Sequence, residues 1–204
     1  MSPPIIITTT TNIKEIAVTC QIPGMKTKEK FEESDGMLYQ ELELSNEGLT
    51  TDIGKPQLPQ IGRWFAIPQG AEVEVEIVKS DYQILEGYNI YPAQKPMPED
   101  GTTEAPPFEK DMDLYSKDEF YPSQIVSLDS PQELRGLNAS VLRVVPFQFN
   151  PVKQELKAYS QVTAKVSFIG GKDYFLDEEF RAPGNESFYI SLINRGRGSY
   201  ARYL

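Results

Sequence analysis

Histidine is absent from the 204 residues, and cysteine occurs once, at Cys20. The first absence removes Ser–His and Cys–His nucleophilic machinery, the commonest metal ligand and the default general base near neutral pH. The second removes an internal disulfide and any thiolate metal site. Cys20, beside Val18 and Ile22, reads as a small core residue. Carboxylate-only chemistry is the enzymatic route left. No metal-ligand spacing, phosphate-binding glycine loop, dinucleotide fingerprint or nucleophile elbow supports it, so no catalytic residue, metal or cofactor is assigned. Positive charge is scarce: 20 Lys and Arg stand against 30 Asp and Glu, a net charge of −10. A surface of that sign repels phosphate, so no nucleic-acid partner is expected. No apolar run approaches the ~18 residues of a membrane helix. The opening MSPPIIITTTTNIKEI has no basic n-region and no clear apolar core, so it is not an intact signal peptide, and no membrane insertion is expected.

What the chain does contain is period-two alternation, the mark of half-buried strands. Ile16, Val18, Cys20 and Ile22 share one face. Within residues 31–49, Leu38, Gln40, Leu42 and Leu44 share another, with Met37, Tyr39, Glu41 and Glu43 on the solvent side. In residues 71–79 (AEVEVEIVK), Val73, Val75 and Ile77 face inward and three glutamates outward. A further strand in 81–91 would bury Tyr82, Ile84 and Ile90. Residues 134–168 read as one β-hairpin at the centre of a sheet, its two strands joined by a Phe149-Asn150-Pro151 turn. Eight to ten strands joined by Pro/Gly turns, with no long amphipathic helix, predict an all-β fold: an antiparallel β-sandwich or jelly roll. Residues 92–122 interrupt the pattern with Pro92, Pro96, Pro98, Pro106 and Pro107. They predict a long Pro-rich loop with one helical turn near 116–120, and loops of that length are often functional. The tail 191–204 carries Arg195, Arg197 and Arg202 and no acidic residue, which leaves 17 cations against 30 anions, a charge of −13, in the rest. The chain thus divides into an N-terminal extension (1–12), a sandwich domain (13–190) and a basic linker (191–204). Arg135-Gly136 reads either as a buried arginine held by partners or as a turn.

Several segments recur in a known order: Gly54-Lys55-Pro56-Gln57-Leu58-Pro59, Pro68-Gln69-Gly70-Ala71, Tyr91-Pro92, Phe120-Tyr121-Pro122, Leu134-Arg135-Gly136 and Val145-Pro146-Phe147-Gln148-Phe149-Asn150-Pro151. This series resembles the N-terminal propeptide domain of gingipain-type cysteine peptidases, over roughly residues 15–190. The resemblance implies a bacterial, secreted, periplasmic or cell-surface β-sandwich prodomain. Such a domain is not itself an enzyme; it assists folding of its cognate cysteine peptidase, keeps it reversibly inhibited and is removed by proteolysis. It also implies that a surface loop covers the active-site cleft with a basic side chain mimicking substrate. The loop 92–122 supplies that segment, with Lys110, Asp111, Asp113, Tyr115 and Lys117 as candidates and Lys95 as a third cation. Solvated lysines are the plainer reading. Arg195, Arg197 and Arg202 are the candidate cleavage junction. A β-sandwich module binding carbohydrate or a cell surface is the alternative.

Overall fold

The computed structural model describes residues 2–98, 106–134, 136–175 and 192–194. Among them the alternating segments form twelve strands and a single helical turn. One sheet runs β1 (Ile5–Asn12), β2 (Glu15–Gln21), β12 (Glu155–Gly170), β11 (Phe147–Asn150), and β7 (Ala71–Glu86) pairs with β12 along its whole length. The second sheet runs β5 (Gly48–Leu49), β6 (Pro59–Ile67), β10 (Leu137–Val144), β8 (Val126–Leu128), with β9 (Gln132–Leu134) also on β10. A separate hairpin is made of β3 (Lys26–Glu32) and β4 (Met37–Glu43). All the paired strands are antiparallel.

The two large sheets share one core. Ile16, Val18, Val162 and Val166 come from the first sheet, Ile61, Phe65, Leu142 and Val144 from the second, and Phe147 and Phe149 lie with them. The inner face expected for β2 holds: Ile16, Val18, Cys20 and Ile22 are all buried. Residues 5–12, set apart as an extension by composition, form β1 on the edge of β2. Residues 192–194 return to the outer edge of β6. The Ile193 N–H donates to the Trp64 carbonyl at 2.9 Å, and the Asn194 amide both accepts from the Ala66 N–H and donates to the Ala66 carbonyl, at 2.9 and 2.8 Å. Leu192 closes a small second cluster with Ala66, Leu137 and Phe175.

Five local expectations are corrected. Residues 134–168 are not one hairpin: β10 belongs to the second sheet, and the strand that turns back onto β12 is the short β11. Pro146, which has no N–H and holds Val145 extended, sits at the change of sheet. Residues 71–91 do not hold two strands but one of 16 residues, because Val78 is taken up as a bulge and pairing resumes at Lys79. β7 is also an edge strand, so Ile77 before that bulge and Tyr82 and Ile84 beyond it are about half exposed instead of buried, and only Ile90 of the residues expected inside from 81–91 is enclosed. Tyr39, placed on the solvent side by alternation, is fully buried, while Leu38 is exposed. The helical turn lies at α1 (Met112–Tyr115), just ahead of the expected stretch, because Asp111 caps it by accepting from the Leu114 N–H at 3.0 Å.

Candidate functional site

The segment 106–122 crosses the end of the sandwich between the β3–β4 hairpin and β11. The Gly54-Lys55-Pro56-Gln57-Leu58-Pro59 motif forms its bed. The Gly54 N–H bonds to the Ala93 carbonyl, the Ala93 N–H to the Lys55 carbonyl, and the Asp111 N–H to the Gly54 carbonyl, at 2.8, 2.8 and 2.9 Å. Gly54 has a φ of +79°, and a Cβ there would stand 3.1 Å from the Asp111 nitrogen. Only glycine meets both conditions without strain. Gln94 clamps the segment from the other side, accepting from the Glu109 N–H and donating to the Glu109 carbonyl at 2.9 and 2.8 Å.

Side chains add a second layer of anchoring. The Phe108 ring lies 6.3 Å from Tyr39 and 5.9 Å from Tyr91, centroid to centroid. The Tyr115 hydroxyl donates to the Ile90 carbonyl at 2.7 Å, and its ring meets Phe149 edge-on at 6.2 Å. Burial pushes the Tyr115 phenol well above its ordinary range. Tyr121 and Phe149 exchange both backbone hydrogen bonds. Burial, then the carboxylate of Asp52, push the Tyr121 phenol up to about 12. At the turn after β11 the Asn150 side chain accepts from the Val152 and Lys153 N–H groups and donates to Asp118. That is why asparagine precedes the proline there.

The candidate residues differ in their surroundings. Lys95 pairs with Glu109. Lys110 is mostly buried and donates to the Tyr39 hydroxyl at 2.6 Å and to Asp35 at 3.3 Å. Asp113 and Lys117 are exposed and make no ion pair among the described residues. Asp111 and Tyr115 are capping and packing groups of α1. Beside the loop opens a groove of about 720 Å³ lined by Asp52, Lys55, Asp113, Lys117, Phe120 and Tyr121. Arg195, Arg197, Arg202 and Arg135 lie outside the described residues. Sequence reasoning missed Asp35 and Tyr39. The available signal was a single tyrosine in an otherwise Glu- and Met-bearing row, four residues after an aspartate.

Asp35 makes the loop's anchoring pH-dependent. Burial works against its ionisation, but hydrogen bonds from the Tyr39 hydroxyl, the Met37 N–H and Lys110 outweigh burial and hold the carboxyl below its ordinary range. A depressed folded-state pKa contributes stability in full above the unfolded value, about 3.9, and loses it as pH falls through the lower folded value. Amide exchange at Asp111, followed against pH and corrected for intrinsic rates, is expected to lose protection below about pH 4. An Asp35→Asn variant should show no such step.

Comparison with known proteins follows the same outline. The Propeptide_C25 family model matches residues 14–175. Gingipain R1 of Porphyromonas gingivalis is 31% identical over 117 residues, 57% of this chain and 12% of its own length. Lys-gingipain of the same organism is 26% identical over 155 residues, 72% of this chain and 9% of its own length. The chain therefore spans about a tenth of the curated relatives it matches. The complex of the Porphyromonas gingivalis RgpB pro- and mature domains contains a chain with the same fold, at a TM-score of 0.79 and 21% identity, covering 94% of this chain and 97% of that one. A structure addressing the zymogenic latency of gingipain K from that organism gives a TM-score of 0.72 at 19% identity, covering 84% and 96%.

Proposed function

The chain belongs to the Propeptide_C25 family, and from that premise we propose that it is the non-catalytic prodomain of a bacterial, secreted or cell-surface gingipain-like cysteine peptidase. In this reading it assists folding of the peptidase, keeps it latent by reversible inhibition and is removed by proteolysis, with Arg195, Arg197 and Arg202 as the candidate junction. The loop 106–122 is the inhibitory element. The observation that carries this is a segment anchored on both sides of an exposed Lys117 that has no ion pair among the described residues. A cation that surrenders no ion pair among the described residues on docking can place its interaction with a carboxylate-lined pocket into affinity, and a pre-ordered loop loses less entropy.

The parent reading frame is expected to continue past Leu204 into a domain with a His…Cys pair. Added in trans to that domain, the 204-residue chain is expected to inhibit it. Lys117→Ala should raise the inhibition constant at least tenfold, about 1.4 kcal/mol. Undiminished inhibition by Lys117→Ala removes the substrate-mimic role, and absence of inhibition by the unaltered chain removes the prodomain reading.

A further inference from the structure

Lys110 is the most enclosed of the loop's cations, with 16% of its side chain exposed. An ammonium drawn this far out of water must find partners to offset lost hydration. Lys110 has three: the Tyr39 hydroxyl at 2.6 Å, Asp35 at 3.3 Å, and the face of Tyr115 with its centroid at 4.9 Å. The Tyr39 hydroxyl accepts from Lys110 and donates onward to Asp35, so the three groups form a relay running from cation to anion. Tyr39 lies in β4, Asp35 in the turn of the β3–β4 hairpin and Tyr115 in α1. One ammonium therefore joins two stretches more than 70 residues apart in sequence, the β3–β4 hairpin and the segment that carries α1.

We propose that Lys110 is a positioning residue, a latch that fastens residues 106–117 to the β3–β4 hairpin and fixes the geometry in which Lys117 is offered. This rests on the reading of the loop as the docking element. Lys110 does not itself enter the partner's pocket: withdrawing it would take the shared cation from Asp35 and from the hydroxyl of the buried Tyr39, whereas Lys117 gives up no ion pair among the described residues. The connection to Lys117 is short and stiff. Tyr115 ends α1, the Ser116 N–H bonds to the Met112 carbonyl and the Lys117 N–H to the Leu114 carbonyl, each at 3.1 Å. Fixing α1 fixes Lys117.

The test uses the 204-residue chain with Lys110→Met, Asp35→Asn and both together. Each single variant is expected to speed amide exchange at Glu109 and Asp111 at least fivefold and leave Val18 and Val166 unchanged, with no further increase in the double variant, since the two groups act as one unit. Against the peptidase, each single variant should slow association at least threefold, because fewer loop conformations are competent to dock. Unchanged exchange in Lys110→Met overturns the latch. Loss of inhibition in Lys110→Met with full inhibition in Asp35→Asn also overturns it, by showing that Lys110 makes the contact itself. Should Lys110→Met fail to fold, the near-isosteric Asp35→Asn carries the same exchange test. If the unaltered chain inhibits nothing, the exchange arms still decide the latch, and the functional reading fails separately.

Discussion

Phe149→Ala is expected to destabilise the domain by about 3–5 kcal/mol, the range for truncating a fully enclosed phenylalanine. Its side chain has 0% exposure and lies in the core shared by the two sheets. The surrounding groups are poorly placed to collapse into the gap. Phe149 is paired on one side with Leu156 of β12 and on the other with Tyr121, whose backbone it binds through both its N–H and its carbonyl. Those backbone bonds hold the walls apart after the ring is gone. For a domain of this size the loss corresponds to a fall in melting temperature of about 10 °C. The damage should also reach the loop, because the Tyr115 ring loses the face it packs on. Denaturant unfolding measures the first effect, and amide exchange at Tyr115 and Ser116 the second. A loss of stability under about 1 kcal/mol would show that the ring is not the keystone between core and loop.

Phe149 also marks what could be read from the sequence. The Phe149-Asn150-Pro151 turn was legible because its chemistry is local: the Asn150 carbonyl oxygen bonds N–H groups two and three residues on. The inner face of β2 was legible because four apolar residues at period two have no competing explanation. Sheet membership was not, since which strand lies beside β10 depends on residues 59–67, some 75 positions earlier. Burial along β7 failed for a related reason: alternation says which residues share a face, but not that the strand lies at an edge. At the candidate site, composition marked the loop but could not rank its lysines. Lys110, Lys117 and Lys95 look alike in sequence. They differ only in what the fold brings to them, and the acid that matters to Lys110 stands 75 residues away. The same distance hid Tyr39, whose place beneath the loop overrides the alternation of its own strand.

Asn194→Ala is expected to reduce stability by about 2–4 kcal/mol, because it leaves the two backbone polar groups of one buried residue, Ala66, without partners. Asn194 is 6% exposed, and its amide serves the Ala66 N–H and carbonyl together, as a neighbouring strand would. Few side chains match that pair of demands, a donor and an acceptor held side by side. Asn194→Asp separates hydrogen bonding from packing. It keeps volume and the acceptor for the Ala66 N–H but sets a carboxylate against the Ala66 carbonyl, so it should be at least as destabilising as alanine near neutral pH and recover part of the loss when acidified, as the protonated acid can donate. If Asn194→Asp matched the unaltered chain at pH 7, the amide would not be bound to Ala66 at all. The expected order follows from the position of this residue. Leu192 and Asn194 are enclosed although the family match ends at residue 175, so the folded unit includes the short return to β6, and the first arginine of the candidate junction is the residue that follows it.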